Sequence, residues 1–223
     1  CTVAQSGHLW QSVKHVPKTN TLAIAHCVCR HRAMEIIFMG TGTSQGVPMI
    51  AHDAPGLDLN NPKNWRTRPS IHVEMDGCRI QVDAGQEFRI QCLRENIRQV
   101  DYFILTHRHA DHVMGMDDLR RFCAMHESTV LPVYSSADGL QCIRSIYHYA
   151  VNQTKPNNRF YPAFQLIEMP SVLELDCGWI HSTLLSHCPV ETLGLVFIER
   201  SSGKKAVYYT DCNAVRPDQR EMA

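Results

Sequence analysis

Four residues able to hold a metal ion, His107, His109, Asp111 and His112, fall within six consecutive positions. His107 and His109 stand two apart, so an extended turn can point both rings the same way and let them share one ion. Asp111 and His112 follow at once and can reach a second ion beside the first. Imidazole and carboxylate donors together suit Zn²⁺, Mn²⁺ or Fe. Two such ions about 3.5–4 Å apart can hold a bridging hydroxide and clamp both oxygens of a displacement. A chance run of polar loop residues is the competing reading, and it accounts poorly for so many ligand types directly after a strand.

The flanking segments must hold this cluster in place. Residues 101–105 (Asp-Tyr-Phe-Ile-Leu) are a short apolar run rich in β-formers and read as a buried strand. Residues 115–126 read as a helix. The cluster therefore falls on the turn at the C-terminal end of a strand, where α/β folds place their sites. Upstream, 35–39 is a strand, followed by a glycine-rich turn over 40–48 that lacks the Lys-Ser/Thr ending of a nucleotide P-loop. That turn either aims amides at a phosphate or serves only as a tight turn. Residues 53–69, rich in Asn, Asp and Pro, read as a loop. Strands at 70–75 and 79–82 are joined by the hairpin signal Asp76-Gly77. Helices are expected at 86–97 and 136–151, a strand at 130–134 and a linker at 152–163. The second half reads as strands at 164–168, 172–176, 179–186, 193–199 and 206–210.

The chain has 223 residues, enough for one sizeable core. Lys plus Arg total 22 and Asp plus Glu total 22, so no basic surplus points to nucleic acid. Of ten cysteines, seven are scattered singly from Cys78 to Cys212. That pattern predicts reduced thiols in a cytoplasmic protein and not a disulfide framework. No apolar run approaches about 18 residues, so no membrane-spanning helix is expected. Residues 1–33 contain Lys14, Lys18, Arg30 and Arg32 and no acidic residue. They read as a leader or upstream sequence outside the fold, with 34–223 as the domain.

The run His107-x-His109-x-Asp111-His112 resembles the signature of metallo-β-lactamase fold hydrolases. Three flanking runs resemble the branch that includes the phosphoribosyl cyclic phosphate phosphodiesterase of phosphonate breakdown: Gly40-Thr41-Gly42-Thr43-Ser44-Gln45-Gly46-Val47-Pro48, Val82-Asp83-Ala84-Gly85, and Gly115-Met116-Asp117-Asp118-Leu119-Arg120. The branch is more distantly similar to tRNA 3′-processing endonucleases. The resemblance implies a four-layer αβ/βα sandwich with a metal cleft along one edge. It implies His187 as the third ligand of a first metal, beside His107 and His109. Asp211 would bridge to a second metal held by Asp111 and His112. Asp83 would support the ligands from behind, so that Asp111, His112 and Asp83 carry the chemistry.

The reaction implied is hydrolysis by a metal-bound hydroxide, with two Zn²⁺ or Mn²⁺ ions as cofactors and a small, plausibly cyclic, phosphodiester as substrate. A thioesterase or lactonase of the same fold, or a tRNA-processing-type nuclease, is the alternative. Ser44, Arg66, Arg68 and Thr192 are candidate substrate contacts from loop position alone. Relatives are often dimers, which makes a homodimer an expectation. The family runs on past the position of Ala223, through another strand and a histidine of the second metal site, so a C-terminally incomplete domain is expected.

Overall fold

The computed structural model describes residues 34–151 and 161–222. The leader at 1–33 and most of the linker expected at 152–163 lie outside the described residues. β1 (Glu35–Gly40), β2 (Ser70–Met75) and β3 (Cys78–Val82) form an antiparallel meander. β4 (Tyr102–Ile104), β5 (Leu131–Ser135) and β6 (Phe164–Glu168) then add in parallel, giving a six-stranded sheet in the order β1-β2-β3-β4-β5-β6. Parallel neighbours need crossovers, and helices supply them. These are α1 (Phe88–Arg94) after β3, α2 (Ala110–Val113) and α3 (Arg120–Met125) after β4, and α4 (Ala137–Ile146) and α5 (His148–Val151) after β5.

The second sheet is antiparallel, ordered β10-β9-β8-β7, from β7 (Val172–Leu175), β8 (Gly178–His187), β9 (Val190–Glu199) and β10 (Lys205–Tyr208). A short helix, α6 (Pro217–Met222), is tied to it where Gln219 Nε2 donates to Leu184 O at 2.8 Å. Alternation along β2 and β3 sends Ile71, Val73, Met75, Ile80 and Val82 to the face that meets Ile180, Leu195 and Phe197 of the second sheet. The other face of the first sheet packs with the helices through Phe88, Phe103, Leu105, Met116 and Leu119. Each such side chain contributes about 1.5–3 kcal/mol by burial. The fold is the expected αβ/βα sandwich.

Local differences from the expected elements have identifiable causes. The helix expected over 86–97 ends at Arg94, because Asn96 turns left-handed at φ 55° and closes it. The helix expected over 115–126 starts as a 3₁₀ turn, Met116–Leu119, with the Gly115 amide committed to Ala84 O at 2.7 Å. Tyr147, at φ −112°, separates α4 from α5 where one helix was expected. β8 and β9 are longer than the sequence suggested and meet at the two-residue turn Cys188-Pro189, so His187 is the last residue of a strand.

Candidate metal centre

The site is built on the loop that leaves β4. Asp83, just past β3, accepts three hydrogen bonds there. Thr106 N donates to its Oδ1 at 2.8 Å, and Thr106 Oγ1 and His112 Nδ1 donate to its Oδ2 at 2.8 and 2.7 Å. Asp83, Thr106 and His112 are all completely buried. An ionised carboxylate only accepts, so His112 carries its proton on Nδ1 and turns Nε2 toward the site. The Thr106 hydroxyl, having donated to Asp83, accepts from His107 Nδ1 at 3.1 Å, which leaves the His107 Nε2 lone pair facing the site as well. One carboxylate therefore sets the tautomers of two candidate ligands.

The loop can close this tightly because two glycines sit at backbone crossings. A Cβ on Gly85 would lie 2.2 Å from Asp111 O, and one on Gly115 would lie 1.9 Å from Gly85 O. Neither position accepts a side chain.

Two donor groups converge. In the first, His107 Nε2 and His187 Nε2 lie 3.0 and 3.1 Å from His109 Nδ1. In the second, His112 Nε2 lies 2.9 Å and His107 Nε2 3.8 Å from Asp211 Oδ2. Asp111 Oδ2 is 3.3 Å from His112 Nε2 yet buried without a hydrogen bond. The second sheet delivers His187 from the end of β8. Asp211 follows β10, where Asn213 N donates to Ser186 O at 2.7 Å and holds the two segments together. Leu193 N donates to Thr106 O at 3.0 Å, joining the second sheet to the loop.

Electrostatics match this geometry. Burial, then the neighbouring His112 and His109, push the His107 imidazole down to about 3, so it stays a neutral donor. Burial and the facing His187 likewise lower His109. Burial opposes charge on His112, but Asp83, Asp111 and Asp211 outweigh it and raise the ring to about 12, so without a cation Nε2 also carries a proton, which a metal ion among the same carboxylates would displace. The His112 hydrogen bond holds Asp211 down at about 2, and Asp111 is also lowered because His112 outweighs its burial. His107 Nε2 and His187 Nε2 both face His109 Nδ1, which has a single hydrogen or a single lone pair to offer the two of them, and Asp111 Oδ2 is buried with only the His112 ring beside it. A divalent cation among these donors relieves both, so the residues fit a metal centre of nitrogen and oxygen ligands.

All the residues expected to hold metal, His107, His109, Asp111, His112, His187 and Asp211, are brought together, with Asp83 behind them. The expected substrate contacts fare differently. Thr192 is completely buried, with Oγ1 3.4 Å from His107 Nδ1, so it lies behind that ring and cannot meet a substrate. Arg68 is paired with Glu87 and its Nε donates to Ser44 O at 3.1 Å, which occupies the guanidinium in holding the loop. Arg66 is exposed, and its backbone bridges to Val47. In the glycine-rich turn, Gly42 N donates to Thr67 O and Gly46 N to Thr43 O, which favours the tight-turn reading over a phosphate cradle. Thr106 was not among the residues expected to act in the site. Its signal was a Thr at the strand end directly before the first ligand. A cleft of about 640 Å³ shares Arg108 with the ligand loop and is lined also by Ser136, Glu168, Ser182 and Glu191.

Two facing sheets with a histidine–aspartate centre at their strand ends define the class of molecule. The chain belongs to the family described as the beta-lactamase superfamily domain, which matches residues 78–223, and the expected membership in the metallo-β-lactamase fold superfamily holds. The chain is similar to an octanoyltransferase of Porphyromonas gingivalis, 36% identical over 140 residues that make up 62% of this chain and 27% of that protein. It is similar to a ribonuclease Z of Bradyrhizobium diazoefficiens, 34% identical over 83 residues, 36% of this chain and 28% of that one. The chain thus spans little more than a quarter of the length of either relative. Among solved structures, a diphosphatase from the PhnP family superposes with a TM-score of 0.71 at 25% identity, over 85% of this chain and 69% of that one. Zn²⁺-bound PqqB from Methylobacterium extorquens shares the fold with a TM-score of 0.64 at 17% identity, over 84% and 68%.

Proposed function

We propose that this domain is a metal-dependent hydrolase acting on a small phosphodiester, a cyclic one first. The carrying observation is the convergence of His107 Nε2, His109 Nδ1 and His187 Nε2 beside the group of His107, His112 and Asp211. A pair of Zn²⁺ or Mn²⁺ ions, when bound, supplies a Lewis acid for the phosphoryl oxygens and lowers the pKa of an attacking water toward neutrality. His107, His109 and His187 hold the first ion. His112 and Asp111 hold the second, and Asp211 reaches both groups. Asp83 holds a proton on His112 Nδ1, so Nε2 is the nitrogen that a metal would take once its own proton is displaced.

The likeness to a PhnP-family diphosphatase supports phosphate chemistry. The balance of 22 cationic against 22 anionic residues favours a small substrate over a polynucleotide. A cytoplasmic setting is supported by the seven free cysteines of the described residues, and none of their helices is long and apolar enough to cross a membrane. A homodimer is part of the proposal on the family resemblance alone.

Hydrolysis of bis(p-nitrophenyl) phosphate with added Mn²⁺ or Zn²⁺, beside His109→Ala, tests this reading. Metal-dependent turnover abolished in His109→Ala is the expected result, and turnover that survives the substitution overturns it. The ribonuclease Z likeness favours a nuclease as the second reading. Cleavage of a precursor tRNA with steep salt dependence, and none of a cyclic phosphodiester, would select it.

A further inference from the structure

Asp83 does its work from an awkward backbone. It is not glycine, yet its φ is 61°, in the left-handed region. Such outliers persist only where the surroundings over-determine them. Here the turn after Val82 is what aims both carboxylate oxygens at Thr106 and His112. Something must hold it.

Three polar side chains on the helix-facing side of β2 and β3 meet at this turn. Ser70 is 1% exposed, and His72 and Gln81 are 0% exposed. Polar groups so deeply buried are destabilising unless they are hydrogen-bonded. Gln81 Nε2 lies 2.7 Å from Ser70 Oγ, 2.9 Å from Asp83 O and 3.2 Å from Val82 O. Ser70 Oγ lies 3.0 Å from both Val82 O and Asp83 O. With Nε2 turned to these acceptors, Gln81 Oε1 faces His72 Nδ1 at 3.2 Å and accepts its proton. The hydrogens can all be placed. Gln81 gives its two to Ser70 Oγ and Asp83 O, Ser70 gives its one to Val82 O, and His72 orients the amide.

We propose that Gln81, buttressed by Ser70 and His72, is a positioning residue that clamps the Asp83 backbone in its left-handed turn, so that the carboxylate locks Thr106 and the His112 ring. The importance of His112 rests on the metal-dependent reading above. The clamp itself does not, because it acts on a hydrogen bond that exists without metal.

The test uses the full chain with Gln81→Met, which keeps length and loses the amide. Ile80→Ala, on the opposite face of β3, is the control for lost stability. The first readout is the NMR resonance of the His112 Nδ1 proton, shifted far downfield by its buried carboxylate partner. It is expected in the unsubstituted chain and in Ile80→Ala, and lost or moved upfield in Gln81→Met. The second readout is the Zn²⁺ dissociation constant by competition with a chromophoric chelator. Gln81→Met should weaken it about tenfold or more. In an Asp83→Ala background the same substitution should add less than about twofold, since the clamp would then hold nothing. An unchanged His112 resonance overturns the proposal, as does an equal Zn²⁺ loss with and without Asp83. If Gln81→Met does not fold, Ser70→Ala takes the same two readouts with a smaller loss expected. An unsubstituted chain that shows the resonance and binds no Zn²⁺ overturns the metal reading, while the clamp is still judged by NMR.

Discussion

On the loop that leaves the first sheet the side chains of His107, Asp111 and His112 are buried, whereas His187 and Asp211 reach in half-buried from the ends of the second sheet. The first half is preformed. Asp83, Thr106 and two glycine crossings dictate its backbone and its tautomers. The second half is positioned by strand register and a few backbone bonds around Ser186 and Asn213. The contrast teaches that stability and ligation are separable in this centre. In the proposed centre the first half combines stability with ligation, and the second is left to ligation alone.

The sharpest way to break that comparison is Asp83→Ala. It strands a buried amide, a hydroxyl and a ring N–H, and should cost about 3 kcal/mol or more in urea unfolding. Next is His187→Ala, which should remove metal-dependent turnover yet leave unfolding within about 1 kcal/mol of the unsubstituted chain. If His187→Ala is as damaging to stability as Asp83→Ala, the two halves are not built differently.

A smaller effect depends on pH. Burial holds His72 below its ordinary 6.5, despite the opposing pull of Gln81, Glu74 and Asp101, with Arg79 adding to the depression. Below about pH 6.5 the unfolded chain takes up a proton there that the folded chain refuses. Stability must therefore fall as pH drops below that value. In His72→Gln the fall between pH 7.5 and 5.5 should be shallower, measured by urea unfolding at each pH. The smallest effect on stability is expected from Arg66→Ala, within about 0.5 kcal/mol. A raised KM in that variant would make exposed Arg66 a substrate contact, and an unchanged KM would remove it from the site.

The same contrast explains what could be read from the sequence. The convergence of His107, His109, Asp111 and His112 was legible because these candidate ligands are nearly contiguous and follow a strand. His187 and Asp211 carry no local pattern of their own, and only the family resemblance pointed to them, because their partners lie far away in the chain. The network around Gln81 was not legible at all. Ser70-Ile71-His72-Val73-Glu74-Met75 alternates polar and apolar, which ordinarily means one face in water. Here Ser70 and His72 lie buried on the face that carries the helices, and they find their partners across the strand. Alternation reports which residues share a face, not whether solvent reaches it. The fold was otherwise legible from the hairpin signal at Asp76-Gly77 and the apolar strands. Helix ends at Asn96 and Tyr147 were missed because single-residue backbone conformations decided them.

The most direct test of the central claim is anomalous diffraction at the zinc edge from crystals of the full chain grown with Zn²⁺. A peak about 2.0–2.1 Å from His107 Nε2, His109 Nδ1 and His187 Nε2 is expected. A well-ordered site with no anomalous peak among those three nitrogens would contradict that claim.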